Sequence, residues 1–282
     1  MDPVIDQRGR HFLVTGANTG IGKETARGLA KMGAKVTLAG RSEDKTRAAM
    51  AEIAAETPES DLAFLQLDLG DLEAVQRSAE EFLSRSEPLN VLINNAGLAG
   101  SRGMTSSGFE LAFGTNHVGP FLFTQLLLER LKEADAARIV NVASAAHYGA
   151  KGIDWEAVRR PTVSRAGLKE YGVSKLANVL HAQELARRLA DAQVTTYALH
   201  PGVIASDVWR QVPQPVRGLF KLFMKSTEDG SKTSLYCATS PETAGQTGKY
   251  YDDAKPKAPS PVATPELAAE LWERSEAWVN EG

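Results

Sequence analysis

The chain has 282 residues and 30.3 kDa, with 32 basic and 35 acidic residues for a formal net charge of −3. That length suits one undivided α/β domain spanning residues 1–282, and the near-balanced charge without a basic block excludes a nucleic-acid partner. Cys237 is the only cysteine and the five histidines are scattered without zinc spacing, so neither a disulfide, nor a cysteine cluster, nor a metal is expected.

In chain order, the first ten residues carry Asp2, Asp6, Arg8 and Arg10 and no apolar run. No stretch reaches the ~20 apolar residues of a spanning helix, so a soluble, cytoplasmic protein is expected. Phe12-Leu13-Val14 predicts a strand over about 11–15 that enters Thr15-Gly16-Ala17-Asn18-Thr19-Gly20-Ile21-Gly22. Lys23 to Lys31 then has helical spacing, with Ala26, Leu29 and Ala30 on one face. A glycine turn between strand and helix makes an anion site, because the helix dipole and first-turn amides face a pyrophosphate. The spacing is Gly-x-x-x-Gly-x-Gly, which misses the commoner dinucleotide fingerprint, and such turns also arise for steric reasons alone.

Further apolar runs predict strands over about 35–39, 62–67, 89–93, 138–143 and 194–199, with a short last strand near Lys249-Tyr250-Tyr251. Alternation with helical patterns argues for parallel strands with right-handed crossovers. The expected architecture is a single Rossmann-type doubly wound parallel sheet of about seven strands, with helices on both faces. Tyr171 and Lys175 lie four apart, so on a helix both leave one face. A phenol ionises near pH ~10, and an adjacent ammonium pulls that value toward the working range.

Taken together these segments resemble the classical short-chain dehydrogenase/reductase family. Asn94-Asn95-Ala96-Gly97, Asn116, Ser144, Tyr-Gly-Val-Ser-Lys and Pro201-Gly202 follow in family order. The wording His-Val-Gly-Pro-Phe, Ser-Lys-Leu-Ala-Asn-Val-Leu and Leu-His-Pro-Gly-Val resembles the retinol dehydrogenase-like branch. The resemblance implies Tyr171 as acid-base residue and Lys175 as its pKa-lowering neighbour that also binds the nicotinamide ribose. Ser144 would hold the substrate oxygen, and Asn116 would place a relay water. It implies cofactor contacts from Gly16, Asn18, Thr19, Gly20, Ile21 and Gly22, from Asp68 and Leu69 at the adenine, and from Asn95, Ala96 and Gly97. Pro201, Gly202, Val203 and Ser206 would complete them.

After the second strand, glycine stands where an NAD-selecting acid would sit, and Arg41 with Ser42 follows. A guanidinium suits a 2′-phosphate, so NADP(H) is expected over NAD(H). Many NADP-preferring members add a basic residue inside the glycine turn, where this chain has Thr19.

His147, Tyr148 and Trp209 are expected to join Ser144 at the substrate. Ser144 and Tyr171 stand 27 positions apart, roughly twice the compact family spacing, and the extra stretch is either a loop beside the entrance or a surface excursion. The segment 203–227, rich in Val, Leu, Phe and Trp with Arg217, Lys221 and Lys225 interleaved, is expected to cap an apolar alcohol, aldehyde or ketone. It would serve as a buried helix face or rest peripherally on a membrane. The helix over about 170–190 has apolar surface for core packing or for a four-helix homodimer, and a dimer is expected. The function expected is an NADP(H)-dependent oxidoreductase of apolar carbonyls or alcohols. The alternatives are a reductase of small xenobiotic or polyketide-type ketones and a non-catalytic NADP(H)-binding regulatory protein.

Overall fold

The apolar run of β1 (His11–Thr15) is buried along its whole length, because helices cover both faces of the sheet that holds it. A computed structural model describes residues 5–202 and 226–281 of the chain. Its other strands are β2 (Lys35–Gly40), β3 (Asp61–Gln66), β4 (Val91–Asn94), β5 (Ala137–Val142), β6 (Val194–His200), β7 (Lys249–Asp252) and β8 (Lys255–Lys257). They form one eight-stranded sheet of order β3-β2-β1-β4-β5-β6-β7-β8, parallel except for the last pair. The winding reverses between β1 and β4, and the carboxyl ends of those two strands border the crevice where such sheets take ligands.

Seven of these strands coincide with the runs read from the sequence. The eighth, Lys-Pro-Lys, is fully exposed and carries no apolar pattern to announce it. It returns from β7 through Asp253 and Ala254, whose φ of 51° and 56° make a tight two-residue hairpin turn.

The helices are α1 (Gly20–Lys31), α2 (Glu43–Glu56), α3 (Leu72–Ser84), α5 (Leu168–Arg188), α6 (Thr227–Thr239) and α7 (Pro265–Asn280). Helix α4 opens as Leu111–Phe113, passes through a π turn, Gly114–Val118, and continues as Gly119–Lys132. Strand alternation divides the core between the two faces. Phe12, Val14, Leu38 and Val140 meet Ala26 and Leu29 of α1 and Cys237 of α6, while Leu13, Leu92 and Ile139 meet Phe82, Phe121, Leu127 and Leu185 of α3, α4 and α5. Cys237 is a packed residue, and burial pushes its thiol far up.

Helix α7 lies over α5 and α4. Its Trp272 stands edge-on to Phe121 at 5.0 Å, the Arg188 guanidinium covers that indole at 4.4 Å, and Ser275 Oγ meets His117 Nε2 at 2.9 Å. Leu176, Val179, Leu180, Leu185 and Leu189 are all buried within the one chain. Of the two uses expected for these side chains, the structure shows core packing, with the chain's own last helix over part of α5.

This packing predicts an acid sensitivity. Burial holds the His181 imidazole down to about 3 and His117 well below its usual range, with Glu184 and Arg188 at the margin. Between pH ~6.5 and ~3 the unfolded chain therefore binds protons that the folded chain refuses, and stability falls as pH drops through that window. His181→Leu is expected to flatten the acid limb of a stability–pH curve; equal slopes in variant and wild type would refute this.

Candidate active site

The turn after β1 is built to let backbone come close. Gly16 (φ +66°) and Gly20 (φ +58°) sit in the left-handed region that favours glycine. A Cβ on Gly16 would stand 2.8 Å from Ala96 Cα, and one on Gly22 would stand 2.5 Å from the Gly16 carbonyl oxygen. Helix α1 begins here with no acidic residue in its first turn and no side-chain cap from Thr19. Its first-turn amides lack intrahelical partners, which fits the pyrophosphate of a dinucleotide.

Thr15, which sequence reading passed over, ties this turn to β4. Its Oγ1 accepts from the Asn95 and Ala96 amides at 3.1 and 3.0 Å, and Asn95 Nδ2 donates to its carbonyl at 2.8 Å. The only sequence signal was a threonine at the end of an apolar strand. Asn94 turns inward instead, donating to Thr124 Oγ1 and Asn141 Oδ1 at 3.0 Å each.

At the end of β2, a Cβ on Gly40 would crowd Thr46 Oγ1 at 2.6 Å and lie 3.9 Å from Asn18 Oδ1. Arg41 follows, exposed, and its guanidinium makes no hydrogen bond or ion pair among the described residues. Ser42 stands at the N-cap of α2 without capping it. Asp68 is half-buried and accepts the Gly70 amide at 3.0 Å, while Leu69 is buried with its carbonyl pressed toward Gly119. Pro201 and Gly202 (φ +95°) follow β6 directly.

Four polar side chains meet beyond β4 and β5. Tyr171 and Lys175 leave one face of α5, and the Lys175 nitrogen lies 5.7 Å from the Tyr171 ring centre. That nitrogen donates to the Val142 carbonyl at 2.7 Å. Gly97 is exposed beside it, and a Cβ there would stand 3.2 Å from Lys175 Nζ and 3.3 Å from Asn116 Oδ1. The π turn of α4 carries Asn116, which accepts the Leu98 amide at 2.9 Å and donates to Leu98 O at 3.0 Å and Ser174 Oγ at 2.9 Å. Ser174, a second residue missed in the sequence, donates onward to Tyr171 O at 2.8 Å.

Burial raises the Tyr171 phenol, and a hydrogen bond with the Ser144 hydroxyl pulls it partly back. Lys175, expected to be the lowering group, is itself brought down to about 7 by burial and is anchored on Val142. Ser144 ends the β5 connection as the N-cap of a short 3-10 turn, accepting the Ala146 amide at 3.2 Å.

His147 is fully buried, with Nδ1 on Ser144 O at 2.7 Å and Nε2 accepting the Ser260 amide at 3.1 Å. It braces the serine turn from behind. Tyr148 is exposed and donates to Ala258 O at 2.6 Å. Val203, Ser206 and Trp209 lie outside the described residues, as does all of the segment 203–227 except Ser226 and Thr227, where α6 starts. The extra stretch before Tyr171 is stitched onto residues 100–113. Glu110 N donates to Val158 O at 2.8 Å, Thr162 N to Gly103 O at 3.2 Å, and the Thr162 hydroxyl bonds the buried Glu110 carboxylate.

A doubly wound sheet with a pyrophosphate-type turn at its switch point, and a buried tyrosine and lysine with a half-buried serine beside it, defines a dinucleotide-dependent oxidoreductase. The sequence matches the short chain dehydrogenase family over residues 10–216. It is 45% identical over 252 residues to retinol dehydrogenase 12 of Mus musculus, covering 88% of this chain and 78% of that one. Among solved structures it is similar to an uncharacterised protein from Mycobacterium paratuberculosis (TM-score 0.79, 32% identity, 98% and 96% of the two chains). It is also similar to a short chain dehydrogenase from Escherichia coli CFT073 complexed with NADPH (TM-score 0.71, 25% identity, 89% and 98%). The chain belongs to the short chain dehydrogenase family and is retinol dehydrogenase-like; it is an oxidoreductase. No helix among the described residues is long and apolar enough to cross a membrane.

Proposed function

We propose that the chain is an NADP(H)-dependent oxidoreductase of apolar alcohols, aldehydes and ketones, with Tyr171 as acid-base residue. The observation that carries this reading is the buried Tyr171 phenol, on which the Ser144 hydroxyl acts, with Lys175 one turn away on the same helix face. When bound, a nicotinamide supplies or accepts the hydride. The chain's part is to hold the reacting oxygen and move its proton. A phenol raised by burial stays protonated through the neutral range, ready to donate as a carbonyl becomes an alkoxide. Ser144 offers that oxygen a second donor and stabilises its developing charge. Lys175 and Asn116, which meet beside Gly97, lead protons toward Tyr171 and present donors to a ribose. Support for an apolar substrate comes from the relatives' name, since a retinol dehydrogenase acts on a lipophilic alcohol.

Arg41 selects the phosphate. It is exposed, unpaired among the described residues, and follows a glycine in place of an acid. The test is oxidation of NADPH and, in parallel, NADH against retinal, medium-chain aldehydes and aromatic ketones. Turnover is expected with NADPH, and Arg41→Ala is expected to weaken NADPH by about ten- to a hundredfold with little change for NADH, the loss of one charge-assisted contact. Equal weakening of both cofactors would overturn the assignment.

A further inference from the structure

Asn116 and His117 are neighbours on the π turn of α4, and their side chains leave it in different directions. Asn116 reaches Leu98 and Ser174, on the side of Tyr171 and Lys175. His117 points the other way, and its Nε2 lies 2.9 Å from Ser275 Oγ of α7. Both members of that bond are buried, and His117 Nδ1 has no partner among the described residues, so Ser275 is the polar tie of the ring. The same helix grips α4 on either side of the turn. Trp278 stands edge-on to Phe113 at 6.0 Å, and Trp272 edge-on to Phe121 at 5.0 Å.

A π turn is one residue wider than the regular helix around it, and it persists only where something holds it. Here the Gly119 amide closes the turn on Gly114 O. A Cβ on Gly114 would stand 2.9 Å from Phe109 Cβ, and one on Gly119 would strike the Leu69 carbonyl. These glycines let α4 lie close to its neighbours but do not select the wide spacing. One residue of an α-helix is about 100° of rotation. If the turn relaxed to regular spacing, the helix before it would swing by that much against the helix after it. Asn116 could not then meet Leu98 and Ser174 together.

We propose that Ser275 and His117 are positioning residues for Asn116: through them the chain's last helix keeps the π turn wide and Asn116 seated on Leu98. The consequence for proton delivery to Tyr171 rests on the proposed function, whereas the seating of Asn116 does not.

The experiment is hydrogen exchange of backbone amides, read by NMR on the full chain without cofactor, in Ser275→Ala, His117→Phe and the double variant. Asn116 Oδ1 accepts the Leu98 amide, so exchange there reports the seat directly. Each single variant is expected to exchange at Leu98 about tenfold faster than wild type, the worth of one buried hydrogen bond. The double variant should be no faster than the singles, because both remove the same contact. The Gly16 amide, held on Ala39 O at 2.8 Å in the turn after β1, is the control and should keep its wild-type rate. Ser275→Ala removes one oxygen and adds no bulk, so the folded chain should persist. Unchanged exchange at Leu98, additive effects in the double variant, or equal quickening at Gly16 would each overturn the proposal. Turnover is read separately. It should fall about ten- to a hundredfold in the single variants, the usual effect of a misplaced group, with a larger solvent deuterium isotope effect as proton delivery becomes limiting. Faster exchange at Leu98 with wild-type turnover would remove Asn116 from the proposed proton path and leave its seating by α7 standing.

Discussion

Tyr171→Phe is expected to lower turnover by about a thousandfold, the usual worth of a positioned general acid, while NADPH affinity stays within about a factor of two. The substitution removes one oxygen from a ring that is 8% exposed and leaves the helix backbone as it was. Because burial raises the phenol, its proton is present at neutral pH. Carbonyl reduction should therefore hold level through neutrality and decline only in strong alkali, whereas alcohol oxidation, which needs the phenolate, should climb as pH rises. Phenylalanine should abolish both limbs. Wild-type rates in the variant, or a reduction profile that rises with pH, would remove Tyr171 from the proton path.

Gly16→Ala should damage stability and cofactor binding together. An alanine at φ +66° costs about 1–2 kcal/mol, and its methyl would be driven to 2.8 Å from the Ala96 backbone. The turn must shift, and with it the amides that face the pyrophosphate. Unfolding is expected about 2–8 °C lower, and NADPH binding weaker by at least tenfold for each displaced amide contact. Gly9→Ala is the control: Gly9 has φ +79° but nothing within 4 Å of a Cβ, and it precedes β1 at the end of the sheet away from the crevice. It should lose a similar share of stability from the backbone and none of the affinity. If Gly16→Ala behaves like Gly9→Ala, close approach at the crevice is not what the glycine provides.

How far the molecule could be read from its residues depended on whether a feature is local. Phe12-Leu13-Val14 and Ile139-Val140 announce themselves because both faces of a parallel strand are buried. The turn from Gly16 to Gly22, and the pairing of Tyr171 with Lys175, are likewise local. What escaped is set by distant partners. The Val142 carbonyl that holds Lys175 is 33 residues away, and Ser174 acts through Asn116 at a separation of 58. The ring nitrogens of His147 go to Ser144 and, 113 residues on, to Ser260, so a histidine expected near substrate is a brace. Apolar spacing on α5 identified a face to be covered but not its cover, which is Ala268, Leu271 and Trp272 of α7.

The strand Lys255–Lys257 leaves the sheet with a closed border. In a two-residue hairpin the residues paired at 252 and 255 exchange hydrogen bonds, so the next one, Pro256, faces its amide position outward. Proline has no N–H to offer an arriving strand, and the flanking lysines add charge on either side. Another copy approaching in an extended conformation finds no ladder to extend. Three residues with no core role thereby protect a concentrated solution of this protein against fibril-like growth from that rim.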